Sequence, residues 1–389
     1  MIRYLVIFNL LFVGVLFGNI AVSPDKDSIV VKGKFSKNKK CIRCHLDIYK
    51  EFKHSKHRHS NISNNLAHKV MWEGNPISKE KSYVCAKCHA PAAENIEQLM
   101  AKGGDVNASD PSLDEGISCA ACHRIEDIDR SHKVNEYIIS KKKRLFRGTR
   151  QNQQESPYHD IELGNKHFKS ADVCLTCHAH HKKQKKLIME KGEDDKTKRY
   201  CVFSGVDEET TQKGLNTQKE NCITCHMPQV PGSHSDRVYA PTHASHTFAA
   251  ISTRIDEPEK YIDLNLTKED NSFSVTVFNK LPHDLILHPT RLFILKIFVN
   301  DKLVKEHKFA KPWESGKHKP LAWLKENIVY KDNLLAKSKK SIKVQRVLEK
   351  KDKVRVELGY HTFDPKLAKE IGLEDEKSTQ YRVFVEKRF

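Results

Sequence analysis

From about residue 251 onward the chain alternates apolar and polar positions in short runs: Tyr261-Ile-Asp-Leu-Asn-Leu, Phe273-Ser-Val-Thr-Val, Ser341-Ile-Lys-Val, Lys353-Val-Arg-Val-Glu-Leu and Tyr381-Arg-Val-Phe-Val. A period of two puts every second side chain on one face, which predicts half-buried strands. Turn-forming stretches such as Glu269-Asp-Asn and Val299-Asn-Asp-Lys separate them. Residues 251–389 therefore predict an all-β, antiparallel sandwich of immunoglobulin-like type. Residues 38–250 read differently, as polar, turn-rich segments with few marked helices. These are LDIYKEFKHSKHRHS from Leu46, Pro91 to Lys102 stopped by Gly103-Gly104, and Ala179 to Lys191 ended by Gly192. A mainly α region with little regular structure is the expectation. At the start, Arg3, an apolar run from Leu5 to Phe17 and the small residues Ala21 and Ser23 have the layout of a secretory signal peptide over residues 1–23. Extended to Val22, the run also reaches the lower edge of a membrane span, so an uncleaved anchor stays open.

Composition changes this picture in one respect. Of the 389 residues 38% are hydrophobic and 30% charged, which leaves little apolar side chain to fill an interior of this size. Something other than side chains must supply part of the core.

The cysteines say what. Ten of the eleven fall in five Cys-X-X-Cys-His pentapeptides: Cys41, Cys44 and His45; Cys85, Cys88 and His89; Cys119, Cys122 and His123; Cys174, Cys177 and His178; Cys222, Cys225 and His226. Random placement at this composition yields only about 0.02 such pentapeptides. Two thiols three positions apart reach the two vinyl groups of one porphyrin, and the adjacent His becomes an axial ligand of its iron. Structural zinc takes four ligands per ion and gives no reason for a His after every pair. A disulfide framework would not repeat one pentapeptide. Residues 38–250 are thus expected to carry five covalent haem c groups. Cys201 stands outside the pattern and reads as a free thiol.

Histidine follows the motifs, with 17 of 22 before residue 250 and five after it. Twelve remain in the haem region once the motif histidines are set aside, enough to give each iron a second imidazole and so a low-spin, bis-histidine centre. His57, His54, His132, His159, His167 and His246 are the candidates for that second position. His59 lies beside the first of these, and His180 and His181 sit among lysines. His283 and His288, beside prolines in the otherwise His-poor β region, read either as a haem-contacting loop or as a structured turn.

The segment CIRCHLDIYKEFKHSKH resembles the opening of the multihaem cytochromes of the c-552/c-554 type, a group related to octahaem hydroxylamine oxidoreductases. There a haem motif is followed by an aromatic residue, a serine and a ligand histidine, here Phe52, Ser55 and His57, with Phe52 where Trp is common. GISCAACH, SPYH with SADVCLTCH, and NCITCHMP with HTF are similar to later pieces of such cytochromes. NKLPHDLILHPTR resembles the start of the β-domain that follows the haems in some of them. The resemblance covers roughly residues 38–250 and implies haem-based electron transfer.

Lys and Arg exceed Asp and Glu by 68 to 50, a formal +18. Each haem c contributes about −1 through its propionates and ferric core, so five leave about +13. The charge lies in short runs such as Lys141 to Arg144 and Lys182 to Lys186 rather than on one nucleic-acid-binding face. Acidic redox proteins are the expected partners. The expected function is electron transfer in the periplasm. Two alternatives are haem-based oxidation or reduction of a small nitrogen or sulfur compound and a membrane-anchored quinol dehydrogenase, the latter only if the N-terminal segment is retained. The Cys-X-X-Cys-Lys motif of pentahaem nitrite reductases does not occur.

Overall fold

The structure is a computed structural model that describes residues 35–73, 83, 85–101, 106–107, 109–129, 136–150, 156–180, 206–207, 221–251, 255, 257–287, 290–310, 332–374 and 377–389. The signal-like segment, Cys201, His132 and His288 lie outside them. No helix among the described residues is long and apolar enough to cross a membrane.

The first region is a series of short helices: α1 (Asn38–Cys41), α2 (Leu46–Phe52), α3 (Leu66–Glu73), α4 (Ala86–His89), α5 (Ile96–Met100), α6 (Cys119–His123), α7 (Lys166–Lys169), α8 (Asp172–His178) and α9 (Cys222–His226). Between them run two- to five-residue strands: β1 (Ile125–Asp129) with β2 (Glu136–Ile139), β3 (Leu145–Arg147) with β4 (Asp160–Glu162), β5 (Ala179–His180) with β6 (Val206–Asp207), and β7 (Gln229–Pro231) with β8 (Thr242–Ala244). The helix expected from Pro91 is confined to α5, because Pro91 to Asn95 turn so that Ala92 and Ala93 pack inward. Of the helix expected over Ala179 to Lys191, Ala179 and His180 form β5 and the rest lies outside the described residues.

The second region holds two antiparallel sheets. One has three strands in the order β13 (Lys339–Val344), β10 (Phe273–Asn279), β9 (Ile262–Lys268); the other has four, β12 (Lys302–Ala310), β11 (Leu292–Val299), β14 (Val354–His361), β15 (Arg382–Arg388). β10 buries every second residue, from Phe273 to Asn279. β11, LFILKIFV, is central and apolar on both faces, whereas its edge neighbour β12 is rich in Lys and Glu, which discourages edge-to-edge pairing. The two are joined through Asn300 and Asp301, both with positive φ, as a two-residue hairpin turn requires. The inner faces of both sheets share one core, with Phe273, Val275 and Val277 against Phe293, Leu295 and Val356.

Among the described residues the regions meet in several places, beginning with a packing contact and a hydrogen bond. Phe363, Ala368 and Leu373, around α10 (Pro365–Glu370), pack on Ala67 and Val70 of α3. The Tyr360 hydroxyl donates to the carbonyl of Ile251.

Candidate haem-binding site

Each motif winds into one helical turn. His45 N–H donates to the Cys41 carbonyl (2.9 Å) and His89 N–H to that of Cys85 (2.9 Å). Ser118 caps α6 by accepting from the Ala121 N–H, and Asn221 closes a capping box with Thr224 on α9. Residues three and four apart share a helix face, so both thiols and the histidine of each motif point to the same side. A covalently held porphyrin needs that arrangement.

The motif histidines are oriented from behind. Nδ1–H donates to the carbonyl of His234 from His45 (2.6 Å), of Ser60 from His89 (2.8 Å), of Arg147 from His123 (2.7 Å) and of Ala249 from His226 (2.5 Å). Fixing the proton on Nδ1 leaves Nε2 with its lone pair as the free donor atom.

Two imidazoles sharing one metal, each at a metal–nitrogen distance of about 2.0–2.1 Å, set their ring centroids roughly 6.3 Å apart. Four motif histidines face another imidazole at that spacing. The pairs are His45 with His159 (6.2 Å, interplanar 30°), His123 with His246 (6.0 Å, 26°), His178 with His57 (5.9 Å, 58°) and His226 with His283 (6.4 Å, 17°). His234 also stands 6.2 Å from His45, but Arg150 engages its ring nitrogens. Desolvation holds His57 and His246 down at about 3 and His283 at about 4, so these rings are neutral near pH 7, as a metal ligand must be. The donor set therefore fits low-spin haem iron.

The surroundings fix these partners. Gly116, at φ +58°, lies against the backbone of His57 and Arg58; a Cβ there would stand 2.5 Å from the Arg58 carbonyl oxygen and 2.7 Å from that of His57. Ile117 N–H donates to the His57 carbonyl (3.1 Å). Phe248, also left-handed at φ 54°, sets its ring edge-on to His57 (4.1 Å) and to His246 (6.0 Å). Glu51 accepts from the His246 backbone N–H (2.7 Å) and lies 3.2 Å from His243 Nε2, which ties the loop carrying His246 to α2. His283 belongs to the turn between β10 and β11. There fully buried Asn279 donates to the carbonyls of His283, Leu334 and Leu335, and His283 Nδ1–H donates to the Asp284 carbonyl.

The other sequence candidates stand apart. His54 is exposed, and no ring contact joins it to a motif histidine among the described residues. His167 is buried with Nε2 2.7 Å from Asp127 and Nδ1 3.7 Å from Asp172, both nitrogens facing carboxylates. His89 has no second imidazole near 6.3 Å among the described residues; His68, which the sequence did not single out, is its neighbour at 4.1 Å.

Thiols of different motifs also come together. Cys41 is within hydrogen-bonding reach of Cys119, Cys88 of Cys177, and Cys174 of Cys222, with Cys122 close to Cys174 and Cys177. The fourth motif thus borders the second, third and fifth, and the first borders the third.

The family described as cytochrome c554 and c-prime matches residues 40–124. No curated protein matches the chain. Among solved structures, a penta-heme cytochrome c552 from Thermochromatium tepidum is similar in fold, with a TM-score of 0.63 at 16% identity over 91% of this chain and 98% of that one. The family match over residues 40–124, the shared fold and the five Cys-X-X-Cys-His motifs support a multihaem c-type cytochrome.

Proposed function

We propose that the chain is an exported, periplasmic carrier of five haem c groups that passes electrons between redox partners. Haem c supplies a one-electron ferric/ferrous couple. In this reading the ten motif cysteines form the thioethers, and His45, His89, His123, His178 and His226 are the proximal ligands. His159, His246, His57 and His283 would supply a second imidazole to the haems of the first, third, fourth and fifth motifs. Four imidazole pairs at 5.9–6.4 Å are the observation that carries it. Two strong nitrogen donors favour low-spin iron, which changes little in geometry on reduction. The motif contacts support a continuous route with the fourth motif as its junction.

The seven described strands of the second region, three in one sheet and four in the other, match the count of an immunoglobulin-like constant sandwich. That region would supply His283 and a docking face, while the excess of positive charge would draw acidic partners into encounter.

Mass spectrometry of the mature protein should show five haem masses above the processed chain, and electron paramagnetic resonance of the oxidised protein should show bis-histidine low-spin signals. Fewer than four haems would overturn the reading. An N-terminus beginning near Val22 to Asp25 would support export, whereas intact Met1 in the membrane fraction would support the quinol-dehydrogenase alternative. One observation favours catalysis on a small nitrogen or sulfur compound: His89 lacks a partner imidazole at ligand spacing among the described residues. Strong carbon monoxide binding by the reduced wild type would select that reading.

A further inference from the structure

Behind His89 stands a chain of polar rings that no other motif histidine shows among the described residues. His68 on α3 sets its Nδ1 3.0 Å from His89 Nδ1, and its Nε2 lies 3.1 Å from the Tyr83 hydroxyl. Tyr83 is fully buried, with Trp72 edge-on to it at 4.8 Å, among Ile62, Leu99 and Leu113. The contact is on the Nδ1 side of His89, which also faces the Ser60 carbonyl at 2.8 Å. The two nitrogens of an imidazole point in nearly opposite directions, so His68 cannot sit across an iron held by His89 Nε2.

Tautomers then follow. With Nε2 given to a metal, His89 carries its proton on Nδ1 and shares it between the Ser60 carbonyl and His68. His68 Nδ1 must accept, because two N–H groups facing each other at 3.0 Å would repel. Its own proton is therefore on Nε2 and donates to the Tyr83 oxygen.

We propose that His68 and Tyr83 are positioning residues that pull on the Nδ1 proton of His89 and so lower the reduction potential of the second haem selectively. An imidazole nitrogen is a stronger acceptor than the peptide carbonyl alone. Drawing the Nδ1 proton outward makes His89 a more basic axial donor, which favours ferric over ferrous iron. This rests on the assignment of His89 as proximal ligand of the haem on Cys85 and Cys88.

The test is a redox titration of the intact holoprotein with each centre resolved spectroscopically, in wild type, His68→Phe and Tyr83→Phe, with haem stoichiometry measured on the same samples. His68→Phe should raise the ferrous-to-ferric ratio of one haem about tenfold at fixed applied potential, equivalent to about 59 mV for one electron. Tyr83→Phe, which keeps the ring and loses only the hydroxyl, should shift the same haem in the same direction by less. The other four centres should stay in place. Unchanged potentials in both variants with five haems attached would overturn the proposal, as would conversion of a low-spin iron to high spin in His68→Phe, which would make His68 a ligand. A wild type with no haem on Cys85 and Cys88 would instead refute the assignment on which the proposal rests.

Discussion

The two regions solve the problem of an interior in opposite ways. The β region gathers twenty buried apolar side chains into one cluster, whereas the largest cluster among the described residues of the haem region has eight, three of them Ala. Alternating strands can bury a continuous face on their own. Polar, turn-rich segments cannot, and here their motif helices converge on places built for porphyrins. Stability in the first region should therefore depend on the haem groups, and in the second on side-chain packing.

Removing haem should break the comparison most completely. Full-length chain produced without haem attachment should lose its helical circular dichroism, and limited proteolysis should leave a fragment beginning near residue 257. Survival of the haem region under the same protease would show that it folds by side chains alone.

Gly116→Ala comes next in size. It places a Cβ against two carbonyl oxygens at a positive φ, so thermal denaturation of the holoprotein should show a loss of about 2–4 kcal/mol. The β-region transition should not move.

Acid should separate the regions as well. His57 and His246 at about 3, and His283 at about 4, lie below an unfolded value near 6.5, so the unfolded chain binds more protons across that window. Their contribution is complete above about pH 6.5 and is lost as pH falls through the folded values, and metal ligation acts in the same direction. In the β region Glu269 is held at about 2, chiefly by its hydrogen bond from Lys343, so it stays ionised to lower pH. Soret absorbance should therefore collapse at higher pH than the far-ultraviolet strand signal.

The smallest effects are the most local. His57→Ala and His283→Ala should each leave five haems attached, turn one iron at least partly high-spin and open it to carbon monoxide when reduced. The affected irons should differ, that of the fourth motif for His57 and that of the fifth for His283. Identical spectra for the two variants would contradict the pairing.

Much of the β region was legible because alternation reports directly on a buried face: the runs from Tyr261, Phe273, Ser341, Lys353 and Tyr381 correspond to β9, β10, β13, β14 and β15. β11 escaped because a central strand buried on both faces has no alternation to show. The haem-attachment pattern was legible at once, since thioether chemistry fixes residue type and spacing within five positions. Of the facing imidazoles, His57, His159 and His246 were among the sequence candidates, but which motif each faces was not legible. His57 follows the first motif in sequence yet faces His178 of the fourth, and His283 faces His226 from another region; such pairings are tertiary and leave no local trace. His68 was missed for the same reason, lying 21 residues from the ring it touches. His167 carried a promising neighbourhood, but Asp127 and Asp172 face its nitrogens.

The turn that carries His283 links the two regions through a single pair of rings. A chain ending at residue 251 would keep all five attachment motifs and every buried residue of the second-motif cluster, yet the ring facing His226 would be gone. On the proposed ligation, a foreign counterpart of either region would have to bring an imidazole to that one position. A substitution in Asn279, more than fifty residues from the fifth motif, should thereby disturb the ring that faces His226.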